Sequence, residues 1–214
     1  MVKVRLLKAL VLIGLMCSFS SHSLTASEGG NLRTALKSTP FALSTNMLYD
    51  AALVPNLGAT IGLGWDNLLS VNWMHAWWSN SSTHRFWRIY GGDIEFSRYI
   101  GHCSSSSTLT GHHIGPYFSI LSYDIQRGRN HNGYQSDNLT YAVGISYGYS
   151  IPIARQFNID FSIGLGYQWG KYKKHRPIDS HDVWQSTHNR RWLGPTRLSI
   201  SLVWLINTGK GGNL

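Results

Sequence analysis

Between Asn158 and Tyr172 bulky and small residues alternate: Ile159, Phe161, Ile163, Leu165, Tyr167 and Trp169 on one parity, Asp160, Ser162, Gly164, Gly166, Gln168 and Gly170 on the other. A period of two sustained over that length is a β-strand whose faces meet unlike surroundings. A strand on a soluble core shows water its Lys, Glu and Arg, whereas this one sets mainly Gly and Ser opposite its bulky row. Small uncharged groups suit the crowded inside of a narrow closed sheet, and large apolar and aromatic groups suit lipid. The stretch therefore reads as a lipid-facing barrel strand that the rest of the chain repeats.

The same pattern recurs. A first strand, Phe41 to Tyr49, puts Phe41, Leu43, Thr45, Met47 and Tyr49 on one face. In Asn56 to Gly64, Leu57, Ala59, Ile61 and Leu63 alternate with glycine and threonine, and Trp65-Asp66-Asn67 is a tight turn. Leu68 to Trp78 is a third strand. In the fourth, Phe86 to Arg98, the apolar phase slips, and Gly91-Gly92 marks the expected bulge. The fifth, Leu109 to Asp124, is the least regular; the sixth, Leu139 to Ser150, returns to the rule. Strand eight, Arg191 to Ile206, carries Leu198, Ile200, Leu202, Trp204 and Ile206 on one parity. Gly128 to Asp137 and Lys173 to Arg190 read as loops. The prediction is an all-β, eight-stranded up-and-down antiparallel transmembrane β-barrel, each strand near the roughly 9–11 residues that a tilted crossing needs. Trp77, Trp78, Trp87, Tyr172 and Trp192 at one end, and Trp65, Tyr99, Tyr149 and Trp204 at the other, would form interfacial girdles.

Composition agrees with this, and a mean hydropathy of −0.16 argues against a helical membrane protein. Charged residues make up 14%, against about 25% in soluble domains, while nine Trp and eleven Tyr raise the aromatic share to 13%. The N-terminus has the layout of an export signal, with Lys3, Arg5 and Lys8 before an apolar run from Ala9 to Met16. That run is too short to span a bilayer as a helix. The expected organisation is a signal peptide over 1–26, a periplasmic lead-in over 27–40, the barrel over 41–206 and a tail over 207–214. Met16 fits poorly before a lipidated Cys17; if cleavage removes Cys17, Cys103 has no disulfide partner. The formal net charge of +9 finds no nucleic-acid module here, so anionic lipid headgroups are the expected partner.

Several passages resemble a family of unknown function (domain of unknown function 3575) found in outer-membrane proteins of Gram-negative bacteria. They are FALSTNMLYDA (41–51), PNLGATIGLG (55–64), SVNWMHAWW (70–78), FWRIYGGDIE (86–95), TGHHIG (110–115), YGYSIPIARQFNID (147–160) and Trp192 to Ile206. The resemblance implies an outer-membrane barrel, often encoded near surface-fimbria components. It implies no activity and supplies no catalytic residue.

Two sets of residues are candidate sites. Arg88, Asp93, Glu95 and Arg98, with Asp160 and Arg197, are expected to form an ion-paired network plugging the lumen, since an unpaired charge in a poorly hydrated interior is costly. Lys171, Lys173, Lys174 and Arg176, with Arg190 and Arg191, are expected at the outer edge, meeting lipopolysaccharide or a protein partner. His112 and His113 are adjacent, so a strand sends them to opposite faces. His175, His181 and His188 near Asp179 and Asp182 match no metal-ligand spacing, and neither metal nor cofactor is expected. His102-Cys103-Ser104 would fall on the periplasmic side, away from outer-leaflet lipid, so no catalytic residue is assigned. The expected role is non-enzymatic, structural or interaction-based at the cell surface, in association with fimbrial or envelope components. The alternatives are a lipid A-modifying enzyme, a narrow channel and a soluble periplasmic lipocalin-like binder.

Overall fold

The computed structural model describes residues 40–105, 108–128, 131–178 and 181–206. The expected signal peptide, Cys17, the lead-in up to Thr39 and the tail lie outside the described residues. In chain order the elements are β1 (Phe41–Asn46), α1 (Met47–Ala51), β2 (Asn56–Gly64), β3 (Asn67–Asn80), β4 (Arg85–Ser105) and β5 (Thr110–Arg127). They continue with β6 (Gly133–Ser136), β7 (Thr140–Ala154), β8 (Phe157–Ile178) and β9 (His181–Leu205). Each strand pairs antiparallel with its neighbours, and the sheet closes on itself. β1 pairs with β2 on one side and with β9 on the other, β4 meets β5, and β7 meets β8. The fold is all-β, nine antiparallel strands in a ring.

The ninth strand is the short β6, inside the expected 128–137 loop. It carries on from β7 across a break at Asp137–Leu139 and pairs with both β5 and β8. The expected loop from Lys173 to Arg190 is also ladder: β8 and β9 stay paired out to Ile178↔His181. Both faces there carry polar residues, so alternation vanishes although the backbone hydrogen bonds continue. The expected first strand stops early. Asn46 accepts a hydrogen bond from the Leu48 backbone N–H at 3.1 Å and caps α1, which turns Tyr49 inward to line a 20 Å³ cavity with Asp93 and Arg197.

No bulge occurs at Gly91-Gly92. The β3–β4 register runs unbroken from Asn67↔Arg98 to Asn80↔Arg85, and Trp87 and Ile89 therefore share the inner face with Asp93 and Glu95. The two glycines instead allow neighbouring strands to approach closely, for a Cβ at Gly92 would sit 3.0 Å from the Trp73 ring. A bulge does occur in β9, where Gly164 pairs with Arg197 and Leu165 with Pro195, leaving Thr196 as the extra residue. It reverses the in–out phase of β9, so that Arg197, Ser199 and Ser201 face inward on one side of it and Arg190 on the other.

Polarity is inverted relative to a soluble core. Leu57, Val71, Trp73, Ile94, Ile145, Phe161, Leu165 and Leu198 point outward and are 44–61% exposed. Glu95, Ser97, His113, Ser146, Ser150, Asn158, Ser162 and Ser199 point inward and are buried. An apolar cluster closes the end where β1 begins and β9 finishes. There Leu109, from the β4–β5 turn, packs with Ala42, Leu68, Tyr99, Leu205 and Val203. Asn158 holds that turn across the opening, its Nδ2 donating to the carbonyls of Thr108 and Leu109 at 2.8 and 2.7 Å.

The small inner residues of β7 and β8 have a steric cause. The Tyr117 ring lies over Gly144, Gly164 and Gly166, and a Cβ at Gly164 would come 2.7 Å from that ring and 2.9 Å from Arg197 Cβ. Gly164→Val is expected to destabilise the fold by about 1–3 kcal/mol through overpacking. The shift of the urea midpoint of the folded protein measures it; an unchanged midpoint would mean that the ring has room to move away.

Candidate functional site

The inside of the ring holds one connected set of polar side chains. Arg197, brought in by the β9 bulge, lies between Asp93 and Glu95 of β4: its Nη2 is 3.1 Å from Asp93 Oδ1, and its Nη1 donates to Glu95 Oε2. Asp93 also accepts from Asn72 Nδ2 at 3.0 Å, and Glu95 from Ser146 Oγ at 2.5 Å. The guanidinium is 5.7 Å from the centre of the Tyr117 ring, whose hydroxyl bonds to Thr196. Nearer the chain ends, Asp160 meets His113 Nε2 at 2.8 Å and accepts from Ser150. The Tyr99 hydroxyl is 3.3 Å from Ser150 Oγ, and its ring packs against His113. Ser162 and Ser199 bond at 2.5 Å.

These groups leave little space. The cavity among Glu95, His113, Asp160 and Arg197 measures about 60 Å³, and the one under Tyr49 about 20 Å³. A water takes about 30 Å³ of liquid, so the first has room for a water or two and neither for an organic substrate. Chemically the arrangement holds charge in a stable, compensated form. Ser150 gives its hydrogen bond to the Asp160 carboxylate, and no Ser–His pair of the kind that activates a nucleophile forms there.

Of the six residues expected in the network, Asp93, Glu95, Asp160 and Arg197 lie here. Arg88 does not: it pairs with Asp124 at 3.2 Å on the opposite face of the sheet, its guanidinium 5.1 Å from the Trp77 ring centre and 4.5 Å from that of Phe86. Arg98 is exposed on that outer face. His113, Ser146, Ser150, Tyr99, Tyr117 and Thr196 were missed. The small face of Gly111, Gly115 and Ser119 in β5 shares the parity of His113 and could have flagged it. His112 points outward, its Nδ1 2.7 Å from the Tyr147 hydroxyl. Of the expected aromatic girdles, the register keeps Trp77, Tyr149 and Trp204 outside but turns Trp78, Trp87, Tyr99 and Tyr172 inward.

The second expected set divides between the two faces of the β8–β9 hairpin. Lys171, Lys173 and Arg191 share the outward parity of Tyr167 and Trp169, and Lys173 Nζ lies 2.6 Å from Asp137 Oδ1. Lys174 and Arg190 share the inward parity, Arg190 lying 5.6 Å over the Tyr172 ring; Arg176 is exposed near the tip. His175 is buried and bonds to Gln126 Oε1 at 3.0 Å, while His188 stacks on Tyr172. Asp179 and the side chains of His181, Asp182 and His102-Cys103-Ser104 lie outside the described residues. Among the described residues no group of three or more His, Cys, Asp or Glu could hold a metal, and no helix is long and apolar enough to cross a membrane, which says nothing of strands.

One family model, described as a protein of unknown function (DUF3575), matches residues 21–206. No curated protein and no solved structure matches the chain.

Proposed function

The chain belongs to the DUF3575 family, and from that premise and its inverted polarity we propose that it is an up-and-down β-barrel of the outer membrane, reached through the N-terminal signal. Eight strands cross the bilayer, β1 the shortest of them with six residues, and β6 stands as an insert at the outer end. Its role is non-enzymatic: a structural or interaction element at the cell surface, presenting its outer hairpins to lipopolysaccharide or to another envelope or fimbrial protein. One observation carries the reading. A closed antiparallel ring satisfies its backbone hydrogen bonds between strands, and its bulky residues face outward around an interior of serines and paired charges. In water such an apolar belt would far exceed the few hundred Å² that a monomer exposes.

What supports a plugged barrel over a channel is closure at both levels. The Arg197 network fills the middle, and Leu109 occupies the end nearest the termini. What supports contact with anionic lipid is the placement of Lys171 and Arg191 on the outward face, just beyond Trp169, where phosphates of the outer leaflet would lie. The expected result is a protein that sediments with the outer membrane, needs detergent for release and migrates faster on a gel unheated than boiled. In planar bilayers it gives no steady ohmic current. Recovery in the osmotic-shock fluid would overturn the membrane assignment, and a persistent conductance would overturn the plug.

A further inference from the structure

At the end of the ring away from the termini, β3, β4 and β5 present two neighbouring rows on their inner face. In one row the register sets Trp78 beside Trp87 and Trp87 beside Ile125; in the next it sets Asn80 beside Arg85 and Arg85 beside Arg127. Alternation keeps both rows on one face, and that face is the one carrying Asp93 deeper in. Trp78, Trp87, Asn80, Arg85 and Arg127 line a cleft of about 720 Å³ at the strand tips, which Trp77, Ser79, Phe86 and Gln126 complete from the other face of the sheet. The volume is in the range of sites that take small organic ligands, and more than ten times the cavity around Arg197.

Three features of this cleft have no use in the folded chain itself. Arg85 and Arg127 are directly opposite each other, a like-charge pairing that costs stability in a sheet. Neither guanidinium is in an ion pair among the described residues, and no carboxylate lines the cleft. Trp78, meanwhile, is held in place by its Nε1 donating to the Leu53 carbonyl at 2.7 Å, which leaves its ring exposed and fixed. An anion between the two arginines would relieve their repulsion through charge-assisted hydrogen bonds. A ring with an apolar face would cover the exposed Trp78 indole and the edge of Trp87 beside it.

We propose that this cleft binds an acidic sugar, its carboxylate or phosphate held by Arg85 and Arg127 and its pyranose ring stacked on Trp78 and Trp87. The Proposed function above supplies only which side of the membrane the mouth faces; binding itself is measurable in detergent micelles. Such a ligand has two sources, a free acidic polysaccharide or the sugar core of lipopolysaccharide, and two probes separate them. Tryptophan fluorescence and calorimetry are followed while the folded full-length mature protein is titrated with trigalacturonate, with deacylated lipopolysaccharide core oligosaccharide, and with maltotriose as a neutral control. Saturable binding of at least one acidic probe, absent with maltotriose, is expected, and the probe that binds names the source. The Arg85→Gln/Arg127→Gln pair should weaken it at least tenfold, Arg85→Lys by less, and Trp87→Phe should weaken it and reduce the fluorescence change. The heat-dependent gel shift, retained in every variant, separates a lost site from a lost fold. No binding of either acidic probe, equal binding of maltotriose, or full affinity in the double arginine variant would overturn the proposal.

Discussion

Arg197→Met is expected to destabilise the folded ring by about 3–5 kcal/mol, the range for removing one partner of a buried ion pair. The methionine fills similar volume, so the loss is electrostatic rather than steric. With the guanidinium gone, Asp93 and Glu95 face each other across a space that holds a water or two at most, and among the described residues Asn72 and Ser146 remain as their side-chain donors. Neutralising the acids should recover most of the loss: Arg197→Met with Asp93→Asn and Glu95→Gln is expected closer to wild type than the single variant, because replacing a whole buried ionic cluster is often nearly neutral. Arg88→Met is the contrast. Its pair with Asp124 lies on the opposite face and is partly exposed, so its loss should cost about 1 kcal/mol or less. Urea midpoints in detergent or in lipid vesicles decide it. Arg197→Met and Arg88→Met shifting equally would mean that the inner cluster is hydrated and not a plug.

Leu165→Arg carries the second large effect, and its size depends on what surrounds the ring. Leu165 pairs with Ile145 in the middle of β7 and β8, and both point outward. On a soluble protein an exposed leucine replaced by arginine changes stability by about 0.5 kcal/mol or less. At the midplane of a bilayer the same change costs about 2–4 kcal/mol, falling to about 0–1 near the interface. The expected outcome in lipid vesicles is a loss of that larger size for Leu165→Arg, and a small one for Leu193→Arg. Leu193 also points outward, at 79% exposure, but it pairs with Tyr167 beyond the β9 bulge, nearer the charged hairpin. A depth gradient of this kind has no counterpart in water. Equal and negligible effects at both positions would remove the lipid-facing belt from the account.

Some of this was legible before any coordinates. β2, β7 and β8 alternate large and small so regularly that their outward rows could be assigned residue by residue, and the Trp65-Asp66 turn stands where the residues place it, both with positive φ. β4 misled because apolar residues occupy both of its faces. Trp87 and Ile89 point inward where the ring has space for them, and the change of phase looked like a bulge. α1 hid inside a run that alternates acceptably as strand, with the Asn46 cap its one local sign.

The amino-acid sequence by itself determined that strands with unlike faces recur along the chain, and which parity of each regular strand is bulky. That follows because in–out alternation is a relation between a residue and the one two places on. Only the tertiary structure decided that β1 closes onto β9, that a bulge at Thr196 turns Arg197 inward, and that Arg197 then reaches Glu95 102 residues away. Partners that far apart meet through the register of every strand between them, and a single inserted residue anywhere along that path would exchange the faces.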